Sequence, residues 1–156
     1  LGPDHPNVAA NAVSLAYWLI DSGDYPEAGQ LLEESLAIRR KALGENHPQV
    51  ASTLTVKANL LLATRKYEAA RQSASEARRI LLLSLPEEHW QVAMAMNVEG
   101  AALAGLGKYR DAEPLLLGSL ERLSGSPIPN LDQLGRERLA RLYTAWGKPE
   151  QASKYE

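Results

Sequence analysis

The sequence contains no cysteine. That absence excludes a disulfide framework and thiol chemistry, and it leaves the compartment open, because helical repeats need no disulfides in any compartment. Charge of one sign is also lacking: 17 Lys+Arg stand against 19 Asp+Glu, for a formal net charge of -2, so no global field would hold nucleic acid or an anionic membrane. Long hydrophobic runs are missing too. Crossing a bilayer takes roughly 18 consecutive apolar residues, whereas a run such as Ile80 to Leu83 is short and sits in a charged segment. Finally, HExxH, CxxC and Walker-type loops are absent, and the Gly-Lys pairs at Gly107 and Gly147 lack the glycine spacing and the following Ser or Thr of a phosphate loop. No nucleic acid, membrane, cofactor or enzymatic activity is expected.

What is present suits a folded protein. A hydrophobic content of 45% over 156 residues is enough for one domain with a buried core, expected to be cytoplasmic. The chain opens at Leu1 without Met or a signal-like apolar region, and residues 1–6 read as the inside of a repeat, which leads to the expectation of a piece excised from a longer protein.

That repeat is the strongest signal. Leu1, Gly2, Pro3, Asp4, His5, Pro6, Asn7, Val8 and Ala9 return 42 residues later as Leu43, Gly44, Glu45, Asn46, His47, Pro48, Gln49, Val50 and Ala51. An eroded third copy runs from Leu85 through His89, Trp90, Gln91 and Val92 to Ala93. A second landmark, a turn followed by Tyr and a small residue, has the same period: Gly23, Asp24, Tyr25, then Ala28; Arg65, Lys66, Tyr67, then Ala70; Gly107, Lys108, Tyr109, then Ala112. A fourth copy, Gly147, Lys148, Pro149 and Ala152, arrives after 40 residues because the connection 124–130 is remodelled around Gly125, Pro127 and Pro129. Repeats are expected near 1–42, 43–84, 85–125 and 126–156, the last truncated.

Apolar spacing between landmarks is helical, as in Leu15, Leu19 and then Leu31, Leu32, Leu36, and nowhere alternates as in a strand. Each repeat therefore reads as two helices, with helices expected over 6–21, 26–42, 48–63, 67–83, 89–105, 109–123, 131–146 and 149–155. Pro6 and Pro48 suit a first helical position, where the missing N–H is not needed, and Asp4 or Asn46 is placed to cap. Gly23 and Gly107 suit the reversals. Ala16, Ala58, Gly100 and Ala140 on the first helices, with Ala28, Ala70, Ala112 and Ala152 on the second, leave room for close approach. Leu15, Leu19, Leu32, Leu36, Leu54, Leu61, Leu103, Leu116, Leu120, Leu139 and Leu142 are expected to fill the space between hairpins.

These landmarks resemble the tetratricopeptide repeat, in the 42-residue variety seen in kinesin light chains and many bacterial signalling proteins; the opening from Leu1 to Ala9 is the specific part. Lys57 and Glu99, where Leu is usual, and Arg65, where Gly is usual, depart from the pattern. The resemblance implies an all-α, right-handed α-solenoid of antiparallel helical hairpins whose first helices line a concave groove for a peptide or partner helix. Carried over by position, that groove would present Val13, Tyr17 and Ile20; Ser52, Thr55, Asn59 and Leu62; Met94, Asn97, Ala101 and Ala104; and Arg138, Arg141 and Ala145. Asn59 and Asn97 stand out, since an amide both donates to and accepts from a peptide backbone. The alternative is that each Asn is solvated or bonds locally.

His5, His47 and His89 occupy one repeat position, so neighbours are at least one helix spacing, about 8 to 10 Å, apart. Metal-ligating nitrogens converge at about 2.0 to 2.1 Å from the ion, so the histidines are expected to serve the inter-repeat loop. Carboxylate neighbours such as Glu33 and Glu34 diverge by about 100° on a helix and read as solvated faces. In the fourth repeat Arg136, Arg138, Arg141 and Lys148 have only Asp132 and Glu137 as nearby acids. If Arg138 and Arg141 turn into the groove they favour an acidic segment or a terminal carboxylate; otherwise they belong to a solvated or externally covered helix. Trp18, Trp90 and Trp146 are expected to pack or edge the fold. The functional expectation is a protein- or peptide-binding module with Tyr17, Ser52, Thr55, Asn59, Asn97, Arg138 and Arg141 in its groove. The alternatives are a spacer that self-associates as a homo-oligomer through the region around Ile80 to Leu83 or the truncated end, and a regulatory tail of a multidomain bacterial signalling protein.

Overall fold

The computed structural model describes residue 2 and residues 5–156. Among the described residues there are eight α-helices and no strands. They are α1 (Pro6–Ser22), α2 (Tyr25–Leu43), α3 (Pro48–Ala63), α4 (Tyr67–Leu81), α5 (Trp90–Gly105), α6 (Tyr109–Leu123), α7 (Leu131–Ala145) and α8 (Pro149–Ala152). Successive helices pack as hairpins, and α1–α3, α3–α5 and α5–α7 also touch, so the first helices of the hairpins lie side by side along one surface. The result is an all-α helical-repeat solenoid. No helix among the described residues is long and apolar enough to cross a membrane.

The helix starts differ from the expectation. Asn46 does not cap α3; its Oδ1 accepts from Arg79 Nη2 at 3.2 Å. Asp4, the other expected cap, lies outside the described residues. The caps are the histidines: Nδ1 of His5, His47 and His89 accepts from the backbone N–H two residues on, at 3.1, 3.1 and 3.2 Å. An unprotonated imidazole nitrogen satisfies an otherwise orphaned N–H just as a short carboxylate or amide oxygen would. This is the structural use of the repeated histidine.

The reversals repeat as well. Asp24, Lys66, Lys108 and Lys148 each donate a backbone N–H to the carbonyl five residues back, at 2.8, 2.8, 2.9 and 2.8 Å. The residue before each is left-handed: Gly23 (φ 89), Arg65 (φ 58), Gly107 (φ 74) and Gly147 (φ 74). This is the Schellman closure, in which glycine is favoured. Arg65 therefore sits in a conformation that costs a non-glycine residue roughly 1 kcal/mol or more.

Ala16, Ala28, Ala58, Ala70 and Ala112 are fully buried between paired helices. At Gly100 even a methyl group is excluded, since a Cβ there would stand 2.8 Å from Leu116 Cγ. Leu32, Leu36, Leu54, Leu116, Leu139 and Leu142 fill the core as expected. Leu15 does not, and is 47% exposed. Its repeat equivalents explain why: Lys57 Nζ pairs with Glu33 on α2 at 2.6 Å, and Glu99 pairs with Arg78 on α4 at 2.9 Å. These positions face the second helix of the preceding repeat, and no such helix precedes α1 among the described residues.

Two helix ends fall short of their expected limits by more than one residue. Helix α4 stops at Leu81, with Ile80 and Leu81 in the core and Leu82 and Leu83 exposed. Beyond α8 the chain turns, and the Tyr155 ring stacks on Tyr143 with centroids 5.8 Å apart. Trp146 lies between Tyr109 and Tyr143 and carries Lys148 Nζ 3.3 Å from its ring centre, while Trp18 is 67% exposed.

Candidate functional site

The side-by-side first helices enclose an open cavity of about 610 Å³. Its walls follow the repeat. One row is Tyr17, Asn59, Ala101 and Arg141, successive equivalents on α1, α3, α5 and α7. A second row, toward the reversals, is Asp21, Ala63, Gly105 and Ala145, and Ile20, Leu62 and Ala104 form a third. The space exists because α5 contributes only Ala101, Ala104 and Gly105 where α1 has Tyr17, Ile20 and Asp21.

Arg138 crosses this low point. From α7 its Nη1 donates to Asn97 Oδ1 on α5 at 2.5 Å, and its Nη2 donates to Asn59 Oδ1 on α3 at 3.0 Å. Asn97 is held from behind: its Nδ2 donates to Ser119 Oγ at 3.0 Å, and Ser119 Oγ donates to the Leu116 carbonyl at 2.9 Å. Since Arg can only donate, the Asn97 amide has one orientation that satisfies both neighbours. Burial lowers the Arg138 guanidinium to about 10; the Tyr17 phenol pulls the other way, and the like charge of Arg141 adds to the lowering. The group stays cationic at neutral pH. Among the described residues neither Arg138 nor Arg141 has a carboxylate ion-pair partner.

Of the seven expected groove residues, Tyr17, Asn59, Arg138 and Arg141 line this cavity. Ser52, Thr55 and Asn97 do not. Ser52 Oγ accepts from Gln91 Nε2 at 3.3 Å, and Thr55, 9% exposed, returns its hydroxyl to the Ala51 carbonyl at 3.0 Å. Asn97 is fully buried with both ends of its amide engaged. The correction has a simple cause: Thr55 and Asn97 share a repeat position that points between the paired helices rather than across the concave face. Asn97 thus supports the site from beneath and cannot grip a ligand.

Asp21 and Tyr67 also line the cavity and were missed. The signal for Asp21 was present, because it is the repeat equivalent of Ala145, which was expected to line the groove. Tyr67 begins a second helix and reaches the concave side over Gly105, where a Cβ would come 2.4 Å from its Cδ1.

Residues 7–82 match the tetratricopeptide repeat family. No curated protein matches the sequence. Among solved structures the chain is similar to BtubC (BKLC) from P. vanneervenii, with 20% identity and a TM-score of 0.78 over 97% of this chain. It spans 61% of that protein's length. It is also similar to a Podosopora anserina protein described as a kinesin light chain with nearly identical TPR-like repeats, with 24% identity and a TM-score of 0.71 over 99% of this chain and 74% of that one. A third likeness is to a TPR-like protein from Chlorobium tepidum TLS, with 19% identity and a TM-score of 0.73 over 87% of this chain and 92% of that one.

Proposed function

Because the chain is a tetratricopeptide repeat domain, kinesin-light-chain-like in fold, we propose that its concave groove binds a segment of a partner polypeptide. The fold is in general a protein-interaction module, and solenoids offer extended concave surface for that purpose. The observation that carries the reading is the cavity itself. It combines apolar walls, Ile20 and Leu62, with the guanidinium groups of Arg138 and Arg141, neither of which has a carboxylate ion-pair partner among the described residues, the mixture that fixes a ligand's position by a few polar contacts within an apolar setting. Repeat domains of this kind also serve as recruiting arms of larger proteins, and such a parent activity would lie outside these residues.

One observation favours a second reading. Val8 (40%), Leu15 (47%) and Trp18 (67%) form an exposed apolar row on α1, whereas the equivalents of Val8 (Val50 and Val92) and of Trp18 (Leu60 and Ala102) are buried. That row suits end-on association with another helix, including one from a second copy.

Affinity capture from source lysate with three folded proteins separates the readings: the wild type, Ala104→Trp, which fills the cavity, and Leu15→Ser/Trp18→Ser, which makes the α1 face polar. Partners lost only with Ala104→Trp support groove binding. Partners retained by Ala104→Trp and lost with the α1 pair move function to the end face.

A further inference from the structure

We propose that the groove selects its ligand by one isolated carboxylate, an Asp or Glu side chain within an extended partner segment, seated on the Arg138 guanidinium. This deepens the groove reading above and rests on it.

The first ground is charge. Arg138 is a cation on the groove floor that donates to two neutral amide oxygens, and Arg141 stands one turn further along α7 on the same wall. Arg138 is half-buried, and a cation partly withdrawn from water without a counter-ion gains from an anion delivered to it. The second ground is direction. A guanidinium has five N–H donors in a fixed plane, two of which are used on Asn59 and Asn97. With Asn97 locked by Ser119, the plane is set before a ligand arrives, and the remaining donors suit a carboxylate oxygen. Such preorganisation lowers the ordering cost of binding.

The third ground limits the ligand. Asp21 on α1 lines the same cavity, so a second negative charge on the segment meets repulsion where the first meets Arg138. An isolated acid flanked by small or apolar residues fits; an acidic run does not. Because α1, α3, α5 and α7 all contribute, the cavity lies across the face rather than at one end, which favours a side chain of a passing segment over a chain terminus.

The test is selection of random dodecapeptides, displayed with their C termini fused, on the immobilised chain, followed by affinity measurement with the synthetic peptides. Winners should carry a single Asp or Glu. Their affinity should fall about tenfold or more with Arg138→Gln, the scale of a charge-assisted hydrogen bond. Arg138→Lys should retain part of it, and salt should weaken binding to the wild type but not to Arg138→Gln. Asp21→Asn should admit peptides with two adjacent acids. Winners without acids that are lost with Ala104→Trp would overturn this inference and leave the groove reading standing. Winners indifferent to Ala104→Trp would overturn the groove reading as well. Failure to enrich any peptide would count against the inference, and the composition of the winners requires no variant to fold.

Discussion

Replacing Gly105 by Ala should destabilise the protein although Ala is the better helix former. The substitution removes backbone freedom from the unfolded chain, a gain of at most about 0.5 to 1 kcal/mol in a helix. Against it stands the Tyr67 ring. The new Cβ would lie 2.4, 2.5 and 2.7 Å from Cδ1, Cε1 and Cγ, about 1 Å inside ordinary carbon–carbon contact. A ring at the first position of α4 cannot retreat by bending a flexible tip; it must shift bodily or take α4 with it. Overpacking of that kind costs about 1 to 3 kcal/mol, leaving a net loss on the order of 1 kcal/mol. Gly29→Ala is the internal control, because its Cβ would meet only Leu60 Cδ2 at 3.6 Å and the gain of about 0.5 to 1 kcal/mol should appear undiminished. Urea unfolding followed by far-ultraviolet circular dichroism would place the two midpoints on opposite sides of the wild type. In a Tyr67→Ala background, Gly105→Ala should turn stabilising. Equal stabilisation by both glycine substitutions in the wild-type background would refute the steric reasoning.

Other outcomes follow from charges and hydroxyls. Glu99 is 6% exposed, and although Arg78 Nε lies 2.9 Å from its Oε2, that oxygen has no hydrogen bond of good geometry. Arg78→Met should therefore cost about 3 kcal/mol or more by stranding a buried charge, whereas Arg78→Met/Glu99→Leu should be close to neutral in the same unfolding assay. Tyr143 donates to Glu113 Oε1 at 2.7 Å, and burial first, then Glu113, hold its phenol well above the ordinary 10.0. A group whose proton is held more tightly when folded contributes stability that is complete below the unfolded value and is lost as pH rises beyond it. Tyr143→Phe should thus lower stability at neutral pH by about 1 kcal/mol and flatten the decline above about pH 10, measured as melting temperature against pH.

Much of this was legible because a repeat carries its own alignment. Once His5, His47 and His89 fall on one position, so do Ala16, Ala58 and Gly100, and the hairpins and their reversals follow. The row Tyr17, Asn59, Ala101, Arg141 was accessible for the same reason. What spacing alone misses is the depth of a position. Thr55 and Asn97 are polar on a nominally concave helix, yet they point into the pairing of that helix with its partner, and only the packing of Ser119 beneath Asn97 reveals it. The capping role of His47 was hidden by the habit of assigning caps to Asp and Asn. Arg138 was expected in the groove and lines it, but its bonds to Asn97 and Asn59 could not be foreseen, because its reach depends on the small size of three residues on a neighbouring helix.

That reach has a consequence for how the solenoid comes apart. In repeat proteins stability is approximately a sum of contributions from each repeat and from contacts between adjacent ones, so melting of one end is ordinarily felt only next door. The bond from Arg138 to Asn59 joins α7 to α3 and skips a repeat. It adds a next-nearest-neighbour coupling to an otherwise nearest-neighbour chain. Fraying of the last hairpin therefore reaches the second one directly, and hydrogen exchange in α3 and α7 should be correlated more strongly than their separation along the array would allow.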